Sequence, residues 1–213
     1  MTTLGVTGGI GSGKSALAAR LATHDGVRVV LADDVAKRLM AEDPDVRRQL
    51  VARFGPQTFG PDGALDRARL AARVFSDAGE LAALNAIVHP AVRRALLEEI
   101  DRAEADGVRL LVYEAALVFE TEADRILDAV VVVDAPVETR LARVTARDGV
   151  TEADVRARMA HQLDPAEARQ RADHVVENGG DLAALHAAAD ALAEDLLNRA
   201  AKGDSGDAAR ARP

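Results

Sequence analysis

The feature that most constrains this chain is a glycine-rich loop that follows a short apolar run near its N-terminus. Residues 8–15 read Gly-Gly-Ile-Gly-Ser-Gly-Lys-Ser, which is the Gly-x-x-x-x-Gly-Lys-Ser/Thr phosphate-binding pattern. A strand-like run precedes the loop, and residues 16–22 have helical character, as the pattern requires. We therefore expect a strand, loop and helix that bind a nucleoside triphosphate.

Each residue type in the loop has a physical reason to be there. The glycines let the backbone wrap a phosphate chain with its N–H groups turned inward, and the helix adds its positive end. Lys14 brings an ammonium to the outer phosphates, and the Ser15 hydroxyl can bind Mg²⁺. Kinases, GTPases and motor ATPases share this pattern, so it does not name the reaction. The predicted ATP contacts are Gly11, Ser12, Gly13, Lys14, Ser15 and Ala16.

Composition narrows the possible partners. The 213 residues are 48% apolar and only 2% aromatic, with one Tyr (Tyr113) and no Trp, so the core must consist of Ala, Val and Leu. A net charge of −8 and the scarcity of aromatic rings argue against nucleic-acid binding. No apolar run approaches membrane-spanning length, and no charged leader precedes the first strand. We expect a cytoplasmic monomer with no membrane or nucleic-acid partner.

The apolar runs alternate with helical stretches, which indicates βαβ units and a mostly parallel sheet. The predicted strands are 3–7, 27–31, 108–113, 129–133 and 174–176. Residues 34–106 are mostly helical and too long for a simple crossover, so they form a candidate acceptor-binding insert. Within the insert we predict a helix start at Asp43-Pro44, a loop at 54–63 and a long helix at 78–105 that His89-Pro90 interrupts.

Two further regions complete the organisation. Residues 137–171 form a second helical region rich in Arg, a candidate lid. The core is then about 1–33, 107–136 and 172–200, within a domain of 1–200. A last helix over 181–200 has an apolar face, and the tail 201–213 is expected to be disordered. That face comprises Leu182, Leu185, Ala189, Leu192 and Leu196.

Acidic residues follow two of the strands, where doubly wound sheets bind ligands. Asp33 is placed to accept a proton from an acceptor hydroxyl, or else it caps a helix that starts near Val35, a role for which Asp34 competes. Glu114 is placed to support a metal ion, or else it is a strand end that faces solvent.

Basic residues form the other candidates. Arg140, Arg143 and Arg147 are spaced by three and four, so they share one helix face. They either close over the triphosphate or form a solvated, salt-bridged surface. His89 either contacts an anionic acceptor or is buried beside a helix kink.

Taken together, the chain resembles dephospho-CoA kinase over about residues 3–180. The phosphate loop is generic, whereas the His-Pro segment and the later Arg-Asp to Asn-Gly-Gly run are more particular, and their order matches. The resemblance rests on 6–15, Ala32-Asp33 with Ala36-Lys37, Phe54-Gly55, Asp62-Gly63, 65–67, 84–90, 117–120, 140–143, Arg147-Asp148, Arg158-Met159 with Gln162, Ala172-Asp173 and 178–180.

The resemblance implies a nucleotide-kinase fold: an α/β three-layer structure with a five-stranded parallel sheet, a helical CoA-binding insert and a helical lid. It implies transfer of the ATP γ-phosphoryl group to the ribose 3′-hydroxyl of dephospho-CoA, with Mg²⁺. By match, Asp33 becomes the catalytic base and His89 falls in the acceptor-binding region. Lys14, Arg143 and Arg147 become phosphate contacts, and Asn178 lies beside the adenine.

Two positions depart from the family pattern. Many members have Asp-Ala-Asp after the second strand, where this chain has Leu31-Ala32-Asp33. Many have Asp where this chain has Glu114, which keeps the charge but moves it by one methylene. With Leu31 in place of the first Asp, the acceptor side keeps one carboxylate instead of two.

Two other hypotheses about the function remain at this point. A kinase for a different acceptor, a nucleotide or small alcohol, is disfavoured by the long insert. A regulatory GTPase is disfavoured because the chain has no Asn-Lys pair for a guanine-binding motif.

Overall fold

Five parallel strands form the sheet that carries the phosphate loop. The computed structural model describes residues 1–74, 77–160 and 162–201. In it the strands lie in the order β2-β3-β1-β4-β5, which confirms the predicted parallel sheet. The strands are β1 Thr2–Thr7, β2 Val27–Leu31, β3 Leu110–Glu114, β4 Ala129–Asp134 and β5 His174–Glu177.

The α-helices connect these strands and build a separate helical unit. Unit 1 comprises Met1–Leu31 and the described residues from Ile100 onward, and unit 2 comprises Ala32–Glu99. The helices are α1 Lys14–Leu21, α2 Ala32–Glu42, α3 Pro44–Phe54, α4 Arg67–Val74, α5 Ala78–Ala105, α6 Val137–Asp148, α7 Glu152–Met159, α8 Pro165–Arg171 and α9 Leu182–Ala201. Residues 202–213, which include nearly all of the predicted tail, lie outside the described residues.

The core of unit 1 is aliphatic, as the composition requires. Val131 and Val133 of β4 pack with Leu17 of α1 and Leu185 of α9 on one face of the sheet. Because successive side chains of a strand alternate between faces, Val132 faces the other side. Both faces are covered, so the strands consist of continuous apolar runs. The single tyrosine, Tyr113, is buried in β3 between β1 and β2.

A charged contact joins α1 to α9. Asp190 accepts hydrogen bonds from Arg20 Nε and Nη2, at 2.8 and 2.7 Å, and its Oδ1 lies 2.9 Å from His24 Nε2. The Arg20 hydrogen bonds, followed by that of His24, lower the pKa of Asp190 to about 2. This cluster fixes the helix that starts at the phosphate loop against the last helix.

Unit 2 has a core of its own, in which Val46, Leu50 and Phe54 pack against Leu70 and Val74. The predicted helix start at Asp43-Pro44 is confirmed. The Asp43 side chain accepts hydrogen bonds from the backbone N–H groups of Asp45 and Val46, and Pro44 occupies the first turn, where its missing N–H costs nothing.

The structure corrects one helix prediction and refines another. The predicted interruption at His89-Pro90 is wrong, because α5 continues through Pro90 over 28 residues. Proline removes one backbone hydrogen bond, but Val88 and Ala91 on either side are buried, and their packing stabilises the helix across it. Leu182, at the start of the apolar face of α9, is 58% exposed. The buried face begins one turn later, at Leu185, which is 2% exposed.

Candidate active site

The phosphate loop leads directly from β1 into α1. Gly13 has a φ of 104°, in the left-handed region that favours glycine, and α1 begins at the next residue, Lys14. The backbone N–H groups of Ala16 and Leu17 both donate to the Gly13 carbonyl oxygen, at 3.1 and 3.0 Å. The loop therefore presents the N-terminal end of a helix, the electrostatic environment that a phosphate prefers.

Lys14 folds back over the first glycines of the loop. Its Nζ donates to the carbonyl oxygens of Gly8 and Gly9, at 3.0 and 3.4 Å. These two acceptors are neutral carbonyl oxygens, and an ammonium interacts more strongly with an anionic phosphate than with a neutral carbonyl. This placement agrees with the predicted contact to the outer phosphates, which stays a prediction.

Ser15 and Glu114 lie together, as the strand order requires. The Ser15 hydroxyl is 3.5 Å from Glu114 Oε2. Glu114 ends β3, which pairs directly with β1, so its carboxylate lies at the strand edge from which the loop leaves. A hydroxyl and a carboxylate are the oxygen donors that Mg²⁺ takes, so these residues fit the ion. No group of three or more His, Cys, Asp or Glu side chains that could hold a metal is found in the described part of the chain.

Asn178 fixes the phosphate loop from the end of β5. Its side-chain Nδ2 donates to the Ser12 carbonyl oxygen at 2.6 Å, and the residue is 5% exposed. Its own backbone N–H donates to the Asp134 carbonyl at 2.6 Å. A Cβ at Gly13 would overlap the Asn178 amide, so glycine is required there for packing as well as for φ. The predicted place of Asn178 beside the adenine stays a prediction.

Gln162 contacts the phosphate loop, a role that no sequence pattern predicts. Its Oε1 accepts a hydrogen bond from the Ile10 backbone N–H at 2.8 Å. The Ile10 side chain packs against Leu141, Val144 and Val155, the small core formed by α6 and α7. The sequence signal for Gln162 is its place among the residues that carry the family resemblance. Its spacing from other residues predicts no role for it.

The three arginines of α6 lie on one helix face, as their spacing predicts, but they differ in burial and in partners. Arg147 is exposed and paired with Asp148 at 2.7 Å, an interaction that raises the Arg147 pKa. Arg143 is half-buried, and its Nη1 is buried without a hydrogen-bond partner among the described residues. Arg140 is only 5% exposed. A solvated, salt-bridged surface therefore describes Arg147 alone.

Asp33 and His89 belong to unit 2. Asp33 is exposed and is the second residue of α2. The alternative that it caps a helix starting near Val35 is wrong, because α2 already begins at Ala32. Asp34 is paired with Lys37 at 2.8 Å. His89 is half-buried in α5, and this burial lowers its pKa.

Comparison with known proteins decides the family. The family model for dephospho-CoA kinase matches residues 2–184. The chain belongs to the dephospho-CoA kinase family. The dephospho-CoA kinase of Salinibacter ruber is 52% identical over 182 residues, which is 85% of this chain and 91% of that protein. The chain is therefore a kinase, and kinases of this family use ATP.

Solved structures agree with this dephospho-CoA kinase assignment. A dephospho-CoA kinase from Campylobacter jejuni superimposes with a TM-score of 0.67 at 25% identity, covering 95% of this chain and 98% of that one. TT1252 from Thermus thermophilus gives a TM-score of 0.75 at 40% identity, covering 92% and 97%. Within residues 1–74, 77–160 and 162–201, no helix is both long and apolar enough to cross a membrane.

Proposed function

We propose that this protein transfers the γ-phosphoryl group of ATP to the ribose 3′-hydroxyl of dephospho-CoA. The products are coenzyme A and ADP, and the reaction is the last step of coenzyme A synthesis. The match of residues 2–184 to the dephospho-CoA kinase family carries this conclusion. The phosphate loop, with Lys14 held over its first two glycines, supplies the donor half of the reaction.

The donor half binds the triphosphate. Backbone N–H groups of residues 11–16 surround the β- and γ-phosphates at the N-terminus of α1. Lys14 exchanges the carbonyl oxygens of Gly8 and Gly9 for phosphate oxygens. Arg143, whose buried Nη1 has no partner in the described chain, contributes a guanidinium to the charge on the transferred group. Arg147 must leave Asp148 to do the same, and Asn178 lies beside the adenine.

The acceptor half centres on Asp33. As the 3′-oxygen forms its bond to the γ-phosphorus, the bond from that phosphorus to the β–γ bridging oxygen breaks, and ADP leaves. The carboxylate of Asp33 orients the hydroxyl and accepts its proton. Asp34 is less suited to this role because it is already paired with Lys37. His89 contacts the acceptor.

Mg²⁺ belongs to the same proposal. Ser15 would bind it through the hydroxyl, and Glu114 would support it through a water molecule, which agrees with their 3.5 Å separation. The ion would neutralise charge on the β- and γ-phosphate oxygens. We further propose a monomeric state and a cytoplasmic location, which size-exclusion chromatography and cell fractionation check.

The test is direct. Purified protein with ATP, Mg²⁺ and dephospho-CoA should yield equal amounts of ADP and coenzyme A, measured by chromatography. Lys14→Ala should abolish turnover, while Lys37→Ala, which removes an exposed lysine from α2, should leave it nearly intact. Rapid phosphorylation of another alcohol, with none of dephospho-CoA, would refute the assignment.

A further inference from the structure

One carboxylate at the end of α6 is shared by two arginines. Arg147 binds Asp148 through both carboxylate oxygens, with Nε 2.7 Å from Oδ1 and Nη2 3.1 Å from Oδ2. Arg158 of α7 reaches the same carboxylate, with its Nη1 3.4 Å from Oδ2. The hydrogen bond from Arg147, and then the positive charges of both arginines, lower the pKa of Asp148. Asp148 therefore has two cationic partners, one from each helix.

The backbone around Asp148 explains why this carboxylate needs a cation. Asp148 is the last residue of α6, and Gly149 ends the helix in the left-handed conformation, with a φ of 66°. The C-terminal end of a helix carries partial negative charge, so a carboxylate there is destabilised unless cations lie beside it. The Asp148 side chain is also only 26% exposed, so water compensates less for the loss of a partner.

Arg158 is held beside Asp148 by its own helix. Val155 of α7 is fully buried against apolar side chains of α6, which fixes the two helices side by side. Arg158 also acts on a second carboxylate, because hydrogen bonds from Thr151, and then the charge of Arg158, lower the pKa of Asp154. Arg158 therefore keeps its place when another partner of Asp148 moves away.

Arg147 is the more accessible of the two arginines. Its side chain is 65% exposed, against 49% for Arg158. An exposed ion pair contributes little stability, so its arginine can exchange one anion for another at low cost. Arg158 lowers that cost further, because it repels Arg147 by like charge and remains as a partner for Asp148.

We propose that Arg158 is a positioning residue that neutralises Asp148 when Arg147 moves to the phosphates of ATP. The inference rests on the proposed function, in which Arg147 contacts the triphosphate. Without Arg158, Asp148 would lose its last cation at the negative end of α6 whenever Arg147 left, so it would hold Arg147 more tightly. Arg158 thereby raises the affinity for nucleotide through Asp148.

Binding of the β,γ-imido analogue of ATP with Mg²⁺, measured by calorimetry, tests this role without dephospho-CoA. Arg158→Gln should raise the dissociation constant about two- to fivefold, the range expected for an exposed ion pair. Arg158→Lys keeps a cation beside Asp148 and should restore part of the affinity. Arg156→Gln is the matched control, because it removes an arginine of similar exposure, 53% against 49%, from the same helix.

A double-mutant cycle with Asp148→Asn separates positioning from a direct phosphate contact. The amide at position 148 carries no charge to hold Arg147, so Arg158→Gln should have little effect on the dissociation constant in the Asp148→Asn background. If Arg158 bound phosphate itself, or acted only through its charge, its removal would weaken binding by the same factor in both backgrounds.

Two results would overturn the positioning role. One is an equal loss of affinity from Arg158→Gln with and without Asp148→Asn. The other is a dissociation constant for Arg158→Gln that matches that of Arg156→Gln. If the wild-type protein binds the analogue but phosphorylates no dephospho-CoA, the proposed function fails, while the cycle still decides the role of Arg158.

Discussion

The Asn178 side-chain amide donates a hydrogen bond to the Ser12 carbonyl oxygen, at 2.6 Å, in a buried position. This bond joins the residue after β5 to the phosphate loop after β1, and the two strands are separated in the sheet by β4. Fixing the Ser12 carbonyl also restrains Gly13, whose left-handed conformation starts α1. The loop is therefore held in place by the residue that follows the edge strand β5, as well as by its own glycines.

Asn178→Asp should weaken ATP use through this bond. The carboxylate cannot donate, and it would face the Ser12 carbonyl with like charge, so we expect a loss of about 1–3 kcal/mol in the free energy of unfolding. The KM for ATP should rise while the KM for dephospho-CoA stays within about twofold. Steady-state kinetics and urea unfolding measure both. Asn198→Asp, at an exposed position of α9, should change neither, and an unaltered KM for ATP in Asn178→Asp would disprove the positioning role.

Gln162 should protect the Ile10 amide from hydrogen exchange. In Gln162→Met this amide loses its acceptor and should exchange faster, whereas Gln162→Glu retains an acceptor oxygen and should keep the protection. Exchange measured by NMR without nucleotide provides the comparison. Gln170→Met, at an exposed position of α8, is the control. Equal protection in Gln162→Met and the wild type would show that the bond does not restrain the loop.

Asp33→Asn should lower kcat by on the order of 10² to 10⁴, because the amide cannot accept the hydroxyl proton. ADP binding, measured by calorimetry, should be unchanged, since that part of the site lies in the loop. The adjacent Asp34→Asn removes the same charge from the same helix and should retain most activity. A near-normal rate for Asp33→Asn, or equal losses in both variants, would remove Asp33 as the base.

Asp190 should stabilise the folded protein, and this contribution should be lost at acid pH. Its folded-state pKa, lowered to about 2 by Arg20 and then His24, lies below the unfolded value of 3.8. The unfolded chain therefore binds the proton more readily, so this contribution is present above pH 3.8 and is lost as the pH falls towards 2. Urea unfolding between pH 2 and 5 should show a shallower slope for Asp190→Asn than for the wild type. Asp195→Asn, at an exposed pair on the same helix, is the comparison, and equal slopes for Asp190→Asn and the wild type would contradict the assignment.

The sheet could be predicted from the sequence because parallel strands covered on both faces require continuous apolar runs. Each predicted strand begins and ends within two residues of the observed one, as at β3, predicted over 108–113 and observed at Leu110–Glu114. The phosphate loop could be located because glycines followed by Lys14 and Ser15 at this spacing form a specific phosphate-binding motif.

Contacts between distant segments could not be predicted in the same way. Spacing grouped Arg140 with Arg143 and Arg147, but whether a helix face meets solvent or the loop depends on how α6 packs. Gln162 contacts Ile10 across 152 positions of the chain, a separation that no local pattern encodes. Pro90 predicted a broken helix because the sequence shows that a backbone hydrogen bond is lost there. The burial of Val88 and Ala91, which offsets this loss, arises only when unit 2 has folded.

The aliphatic core also determines how the molecule can be observed. Tyr113 is the single tyrosine, the sequence has no tryptophan, and the ring lies buried in β3 between β1 and β2. Intrinsic ultraviolet emission of the folded protein therefore comes from one phenol ring in the middle of the sheet. A tryptophan in place of Phe119, which lines a cavity beside the start of the phosphate loop, would be the sole indole, so its emission would report ligand arrival without background from elsewhere in the chain.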